Sequence, residues 1–106
     1  QSVERIRKVI QTSDAILVYL STPECQVCKV LKPKVRTMLA ETFPEFNFLY
    51  VDCKTSPEVC AQLSVFTIPT ILVYFQGRET IRKSRNVGID ELRNEIRRPY
   101  SLYFTE

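Results

Sequence analysis

The sequence predicts an α/β domain in which a mixed four-stranded sheet carries helices on both of its faces. Three observations lead to this prediction. Helical and strand patterns alternate along the chain, the first two strands are separated by a helical segment, and the last two strands are separated only by a short turn. A helix between two strands favours parallel pairing with a right-handed crossover, whereas a short turn favours an antiparallel hairpin. Because the 106 residues contain no linker, internal repeat or low-complexity segment, we expect one domain over residues 1–106.

The first part of the chain predicts a helix, a strand and a longer helix. Apolar residues recur at helical spacing over residues 3–10. The continuous apolar run from Ala15 to Leu20 is typical of a strand buried on both faces, as in a parallel sheet. After a break at Ser21-Thr22-Pro23, a helical stripe extends from about Cys25 to Glu41. Its apolar members are Val27, Leu31, Val35, Met38 and Leu39.

The middle of the chain predicts a second strand and a short helix. Phe46 to Val51 is an apolar strand that ends in Asp52. The run Ser56-Pro57-Glu58 then has the form of an N-cap, a proline at the first helical position and an acid in the first turn. We expect this helix to end at about Leu63.

The last part predicts a hairpin and a helix. Thr70 to Phe75 is a third strand, and Gln76-Gly77-Arg78 turns it into a fourth strand over about Glu79 to Lys83. Asp90 is expected to cap the last helix, and Pro99 is expected to end it. We expect the aromatic tail that follows to pack back on the domain, with a contact to a second copy or a partner as the alternative. The tail is Tyr100-Ser101-Leu102-Tyr103-Phe104.

Composition narrows the classes of partner. The net charge of +3, from 15 basic and 12 acidic residues, does not demand a nucleic acid or an anionic membrane. The longest apolar run is far too short to span a bilayer. We therefore expect no nucleic-acid or membrane partner, and a cytoplasmic location, with a removed export signal as the alternative because the chain begins at Gln1. A cluster of basic residues is interpreted as solvated surface, with an anionic partner as the alternative. Its members are Arg82, Lys83, Arg85, Arg93, Arg97 and Arg98.

Two cysteines, Cys25 and Cys28, lie just past the carboxyl end of a predicted buried strand, at the start of a helix. Open α/β sheets place their functional sites at this end of the strands. A helix start offers N–H groups without intrahelical partners and the positive end of the helix dipole, which both favour a thiolate. Spacing over one helical turn brings the two sulfurs close enough to bond. We therefore predict Cys25 as the exposed nucleophile and Cys28 as the more buried resolving thiol.

Several motifs resemble the thioredoxin family. Cys25-x-x-Cys28-Lys29, followed by Pro33, matches the active-site helix of that family. A proline inside a helix costs about 3 kcal/mol, so composition alone would not place one there and its presence adds specificity. Tyr50-Val51-Asp52 resembles the end of the central strand, and Ile68-Pro69-Thr70 resembles the segment in which the family carries a cis proline. In this element order the motifs are specific, and they cover about Ala15 to Phe75.

The resemblance implies a thioredoxin fold and a thiol–disulfide oxidoreductase that exchanges disulfides with protein clients. It implies a reductant as second partner, either a thioredoxin-reductase-like protein or another dithiol donor. We expect a monomer without a cofactor or a bound metal. The resemblance further implies that Ile68–Pro69 is cis and faces the dithiol, where the Ile68 backbone pairs with a substrate strand. Glu24 and Gln26 flank Cys25, and we predict that both contact the substrate.

The sequence departs from the family around the dithiol. Glu24 stands where the family carries a tryptophan, and the chain has no Trp. Tyr19 replaces a buried aspartate that is thought to help deprotonate the resolving cysteine, and Phe48 aligns with a lysine that often lies near it. Because the unperturbed pKa of tyrosine is about 10, it is a poor base at neutral pH. We expect slower resolution than in a standard thioredoxin, or a different proton acceptor. The usual opening strand of the family is not predicted ahead of Cys25.

A second pair of cysteines leaves three alternatives open. Cys53 follows the second strand at the same edge as the dithiol, and Cys60 falls inside the next short helix. The first alternative is two free thiols, and the second is a second, regulatory disulfide. The third is a four-cysteine metal site formed together with Cys25 and Cys28. Since the chain has no histidine, a Cys–His zinc site and a Cys–His catalytic dyad are excluded.

Two other functions stand beside the oxidoreductase. The first is a non-enzymatic adaptor that binds a partner through the Ile68–Pro69 groove. The absent tryptophan and the absent buried aspartate keep it open. The second is a redox sensor that uses Cys53 and Cys60.

Overall fold

The helices and strands follow one another in the predicted order. In the computed structural model, which describes residues 2–85 and 87–104, a helix, strand, helix, strand and helix are followed by two strands and a helix. The elements are α1 (Val3–Thr12), β1 (Ala15–Ser21), α2 (Gln26–Thr42), β2 (Asn47–Asp52), α3 (Pro57–Gln62), β3 (Thr70–Phe75), β4 (Arg78–Ser84) and α4 (Ile89–Phe104).

The sheet is mixed, with the strand order β2-β1-β3-β4. β1 pairs with β2 in parallel, and the two are joined through α2. β3 pairs with β1 and with β4 in antiparallel fashion. The predicted parallel pair and the predicted hairpin are both confirmed. The hairpin turns at Gln76 and Gly77, whose φ angles of 53° and 80° are the left-handed backbone that a tight turn between strands requires.

The two central strands are buried along their whole length because helices cover both faces of the sheet. Along β1 the side chains alternate between two cores. Leu17 and Tyr19 face the core formed with α2 and α4, whereas Ile16 and Val18 face the core formed with α1 and α3. The continuous apolar run of β1 therefore supplies both cores, as expected for a strand covered on two sides.

Pro99 does not end the last helix, and that prediction is wrong. α4 continues through Pro99 to Phe104, so the predicted tail forms its last turns. A proline inside a helix costs about 3 kcal/mol, which other contacts must offset.

Aromatic contacts stabilise the end of α4. The ring of Tyr100 lies 4.8 Å from that of Phe43, and its hydroxyl accepts a hydrogen bond of 3.2 Å from the backbone N–H of Glu45. The ring of Tyr103 stacks on Phe75 with centroids 5.1 Å apart. Each such pair contributes about 0.5–1.5 kcal/mol beyond its buried area. The tail thus packs on the domain as predicted, but as a helix.

Two predicted caps differ in detail. Ser56 is the N-cap residue of α3, yet its side chain makes no capping hydrogen bond. Its carbonyl instead accepts from the N–H groups of Val59 and Cys60. Asp90 lies within the first turn of α4, which begins one residue earlier, at Ile89.

The segments that carry the candidate chemistry meet at one end of the sheet. Ser21 and Asp52, the last residues of β1 and β2, are partners in the parallel register. Thr70, the first residue of β3, lies opposite Leu20. The residues that follow β1 and β2 and those that precede β3 are therefore neighbours. They include Cys25, Cys53, Ile68 and Pro69.

Candidate active site

The dithiol lies at the N-terminus of α2, and local hydrogen bonds fix the loop that carries it. The backbone N–H of Cys25 donates to the carbonyl of Thr22, and its carbonyl accepts from Lys29, both over 3.2 Å. Cys25 is the N-cap residue, and its Sγ accepts a hydrogen bond of 3.2 Å from the N–H of Cys28. This donor and the positive end of the helix dipole both favour negative charge on the Cys25 sulfur.

Cys25 and Cys28 form a disulfide, with their Cα atoms 5.2 Å apart. The two residues differ in exposure, since Cys28 is 2% exposed whereas Cys25 is only partly buried. Cys28 belongs to the core between the sheet, α2 and α4, and Cys25 packs against the edge of that core. A nucleophile and a resolving thiol require this difference; the assignment of these roles stays a prediction.

Tyr19 lies beneath the dithiol, at the position where the resemblance to thioredoxins implies a buried aspartate. Its side chain is fully buried, and its hydroxyl donates a hydrogen bond of 2.9 Å to the carbonyl of Cys28. Its ring stacks between those of Phe48 and Tyr50, with centroids 6.1 Å and 6.4 Å away. Burial, and to a lesser extent the neighbouring Tyr50, raises the pKa of Tyr19 to about 12. At neutral pH Tyr19 is therefore a hydrogen-bond donor and not a base.

A groove of about 340 Å³ borders Cys28. Its polar lining includes Ser21, Lys29, Lys32 and Tyr50. The Nζ of Lys32 lies 4.1 Å from the centroid of the Tyr50 ring, which is a cation–π contact. The hydroxyl of Ser21 donates to that of Tyr50 over 3.3 Å. Lys32 and Ser21 were not predicted as site residues. The four-residue spacing already places Cys28 and Lys32 on one face of the helix.

Glu24, directly before Cys25, is paired with a lysine. Its Oε2 lies 2.8 Å from the Nζ of Lys54, and the two side chains are 64% and 63% exposed. The hydrogen bond from Lys54 lowers the pKa of Glu24, and the same bond raises the pKa of Lys54. Glu24 is thus ionised at neutral pH, and the charge of Lys54 offsets its field at Cys25.

The second pair of cysteines is joined as well. Cys53 and Cys60 form a disulfide with their Cα atoms 5.8 Å apart, which links the end of β2 to α3. The alternative of two free thiols is therefore wrong for this structure. Because all four cysteines are bonded in pairs, none remains as a thiolate for a four-cysteine metal site. Within residues 2–85 and 87–104, no cluster of His, Cys, Asp and Glu could hold a metal ion.

The second disulfide contacts the surroundings of the first. The N–H of Cys53 donates to the carbonyl of Ser21 over 2.8 Å, where the loop to the dithiol begins. Cys53 and Cys60 also line a groove of about 230 Å³ together with Phe66 and Ile68. Phe66 is 82% exposed, which is unusual for so large an apolar side chain.

A family model described as thioredoxin matches residues 3–98. The chain belongs to the thioredoxin family. The thioredoxin-like protein YdfQ of Bacillus subtilis is 31% identical over 102 residues, which cover 96% of this chain and 90% of that protein. A thioredoxin of Chlamydia trachomatis is 33% identical over 79 residues, which cover 74% of each chain.

Solved thioredoxin structures share the fold. Thioredoxin 1 of Thermosipho africanus is 30% identical and superposes with a TM-score of 0.75, covering 82% of this chain and 96% of that one. Oxidised mitochondrial thioredoxin 3 of Saccharomyces cerevisiae superposes with a TM-score of 0.79 over 90% of this chain and 88% of that one. At 21% identity, the second likeness shows the fold alone. The predicted thioredoxin fold is confirmed.

Membership of the thioredoxin family, together with the Cys25–Cys28 disulfide, identifies the chain as a thiol–disulfide oxidoreductase. Thioredoxins act on protein disulfides and work with reductants. The predicted reaction class is therefore confirmed.

The segment that resembles the cis-proline motif of thioredoxins lies directly before β3. The Ile68–Pro69 peptide bond is cis. Ile68 is half-buried against the same core as Cys25. Pro69 is buried, and its carbonyl accepts a hydrogen bond of 2.8 Å from the backbone N–H of Arg85. Gln26 is exposed in the first turn of α2. Both Ile68 and Gln26 thus lie at the dithiol end of the molecule, and their contact with substrate stays a prediction.

Acidic neighbours offset part of the basic region. The guanidinium of Arg82 donates two hydrogen bonds of 2.9 Å to the carboxylate of Glu79. Lys83 forms ion pairs with Glu91 and Glu95 on α4. These pairs support the interpretation of a solvated surface. In the part of the chain that the structure describes, no helix is long and apolar enough to cross a membrane.

Proposed function

We propose that the chain exchanges disulfides with protein clients, with Cys25 as the attacking sulfur and Cys28 as the resolving one. The difference in exposure supports this assignment, because Cys28 is 2% exposed and Cys25 is only partly buried. A buried thiol does not reach a disulfide on another protein, but it reaches a neighbour whose Cα is 5.2 Å away. The N-cap position of Cys25 adds a hydrogen bond and a helix dipole that favour its thiolate.

The exchange proceeds in two displacements. The thiolate of Cys25 attacks one sulfur of the client disulfide, the client S–S bond breaks, and the departing client thiolate takes up a proton. The thiolate of Cys28 then attacks the Sγ of Cys25, so that the mixed disulfide breaks and the second client sulfur departs and is protonated. The client has gained an electron pair, and the Cys25–Cys28 disulfide holds the oxidised state. A dithiol donor returns the electron pair by the same steps in reverse.

The client docks beside Cys25 in this proposal. The backbone of Ile68 pairs with an extended client segment, and Pro69 fixes the start of β3 behind it. Glu24 and Gln26 contact the segment from the exposed start of α2. The reductant is a thioredoxin-reductase-like protein or another dithiol donor. Because the cycle needs such a donor, we propose that the protein works in the cytoplasm, where thiols are kept reduced. We further propose that it works as a monomer.

A trapping experiment tests the proposed roles. In a Cys28→Ser variant the mixed disulfide cannot be resolved, so clients should stay covalently bound through Cys25 and appear as shifted bands that dithiothreitol removes. A Cys25→Ser variant is the matched control and should trap nothing. The unmodified chain should accelerate the reduction of insulin disulfides by dithiothreitol. An adaptor that only binds would trap no client and would leave insulin reduction at the uncatalysed rate.

The disulfide between Cys53 and Cys60 favours a second candidate function, that of a redox sensor. Cys60 is buried, whereas Cys53 is partly exposed, and both line a groove of the protein. We propose that this pair is a second redox centre that opens and closes separately from the first.

Counting alkylated thiols by mass tests this candidate. Over a series of glutathione buffers, we expect two separate transitions, one for each pair. A variant with both Cys25→Ser and Cys28→Ser should keep only the transition of the second pair. If that variant shows no transition before the protein unfolds, the second disulfide is structural and the sensor hypothesis fails.

A further inference from the structure

Resolution requires Cys28 to lose its proton, and the residue beneath it does not accept one. The Tyr19 hydroxyl already donates to the carbonyl of Cys28 over 2.9 Å, and burial raises the pKa of Tyr19 to about 12. At neutral pH a phenol in this state offers no negative charge. A group that favours the Cys28 thiolate must therefore lie elsewhere in the site.

A lysine lies one helical turn beyond Cys28 on the same face of α2. Residues four positions apart on a helix are surface neighbours, with Cβ atoms about 5–6 Å apart. Helical side chains also lean toward the N-terminus, so the stem of Lys32 points back over the turn that carries Cys28. Both residues line the same groove.

The ring of Tyr50 holds the ammonium group of Lys32 in this groove. The Nζ lies 4.1 Å from the ring centroid. Contact with Tyr19, at 6.4 Å between centroids, and the hydrogen bond from Ser21 fix the orientation of the ring. A cation–π contact of this kind contributes about 0.5–1 kcal/mol at an exposed site and more where water is excluded. Lys32 is thus restrained, which a lysine on an open helix surface is not.

We propose that Lys32, held over the Tyr50 ring, is a positioning residue that keeps a positive charge beside the Cys28 sulfur and so favours its thiolate during resolution. This inference rests on the proposed role of Cys28 as the resolving thiol. The thiol of Cys28 loses its proton to water in the groove, and the departing client thiolate takes up a proton from water. The thiolate then attacks Cys25 as described above.

The groove that Cys28 lines has few other titratable groups among the described residues. These are Lys29 and Lys32 on α2 and Tyr50 on β2, and Tyr19 of β1 reaches the Cys28 carbonyl from the core. β3 contributes apolar side chains to the core around Cys28, among them Ile71 and Val73, and α4 does the same. Lys29 adds a positive charge at the rim, but no aromatic contact with it is seen in the described structure.

A two-phase release experiment isolates the resolving step. The reduced protein is mixed with excess dithiodipyridine, a neutral aromatic disulfide whose released thiopyridone is measured by absorbance. The first phase reports the attack by Cys25 and the second reports resolution by Cys28. A Cys28→Ser variant keeps the first phase, and any slower release that it shows comes from other thiols and is subtracted from the second phase. The rate of the second phase is recorded against pH, and because this phase is unimolecular it does not depend on how the probe approaches.

Lys32→Met removes the charge and keeps an apolar stem. We expect the second phase to become about threefold to tenfold slower near neutral pH, with its midpoint moved to higher pH and its high-pH limit unchanged, because a nearby cation no longer favours the thiolate. Lys34→Met is the matched control on the exposed face of the same helix and should leave the midpoint unchanged. A midpoint that stays at the unmodified value in Lys32→Met, or that moves equally in Lys34→Met, overturns the inference.

A second pair of variants tests the aromatic support. Tyr50→Phe keeps the ring and its contact with Tyr19 but loses the hydrogen bond from Ser21, so it should shift the midpoint less than Tyr50→Leu, which removes the ring and should shift the midpoint as Lys32→Met does. If Tyr50→Phe and Tyr50→Leu shift the midpoint equally, the hydroxyl and not the restrained lysine is responsible, and the inference is wrong. If the first phase is absent in the unmodified protein, the proposed nucleophile itself is wrong. The two failures are therefore distinguishable.

Discussion

Tyr19 shows how one residue changes the chemistry of a site while the fold stays the same. The position between the sheet and the dithiol is fully buried, so any group there must be satisfied inside the protein. Tyrosine satisfies its hydroxyl by donating to the carbonyl of Cys28 and fills the remaining space with its ring. The consequence is a site in which the residue beneath the dithiol holds the carbonyl but carries no carboxylate.

Replacing Tyr19 by phenylalanine tests this role. The substitution removes the side-chain donor to the buried carbonyl of Cys28 and should lower the free energy of unfolding by about 0.5–1.5 kcal/mol. Urea denaturation of the oxidised protein measures the loss. Tyr103→Phe, at an exposed ring in α4, is the control and should change stability by no more than about 0.5 kcal/mol. Equal stability of the two variants would show that the hydrogen bond contributes nothing.

Among the elements, α4 departs most from its sequence prediction. A proline ordinarily signals the end of a helix, because it lacks an N–H and its ring meets the preceding turn. Here the aromatic residues after Pro99 find partners on β3 and on the segment between α2 and β2. Long-range packing, which no local pattern reports, therefore carries the helix to Phe104.

Tyr100 is the residue on which this extension depends most. Its ring contacts Phe43, Phe46 and Phe104, and its hydroxyl accepts a backbone N–H. Tyr100→Ala should destabilise the protein by about 2 kcal/mol, less than a fully buried aromatic because the residue is only half-buried. Leu102→Ala, on the same helix but 75% exposed, should change stability by no more than about 0.5 kcal/mol. Thermal or urea unfolding compares the two, and equal losses would contradict this account of α4.

For the whole molecule, local patterns predicted the order of the elements and the side of the sheet that carries the site. The buried run of β1, the Pro57 start of α3 and the Gln76-Gly77 turn are each decided by neighbours in sequence. The prediction that Cys25 belongs to the functional site followed from the rule that open α/β sheets place their sites at the carboxyl ends of the strands. These features could be read from the chain because their physical causes are short-range.

What could not be predicted depends on contacts between distant segments. The sequence left three alternatives for Cys53 and Cys60, because the spacing of cysteines does not determine their partners. The contact of Lys32 with Tyr50 joins a helix to a strand, and nothing near either residue indicates it. The ion pair between Glu24 and Lys54 likewise brings together two loops that are remote in sequence.

The hairpin between β3 and β4 lies at the opposite end of the sheet from both disulfides. β3 is six residues long, which separates its first and last residues by about 17 Å. A surface linker, a fluorescent dye or a second protein module attached at Gln76 would therefore sit a full strand length away from any client. Immobilisation through this hairpin offers a way to watch single exchange events while the reactive edge stays exposed to solution.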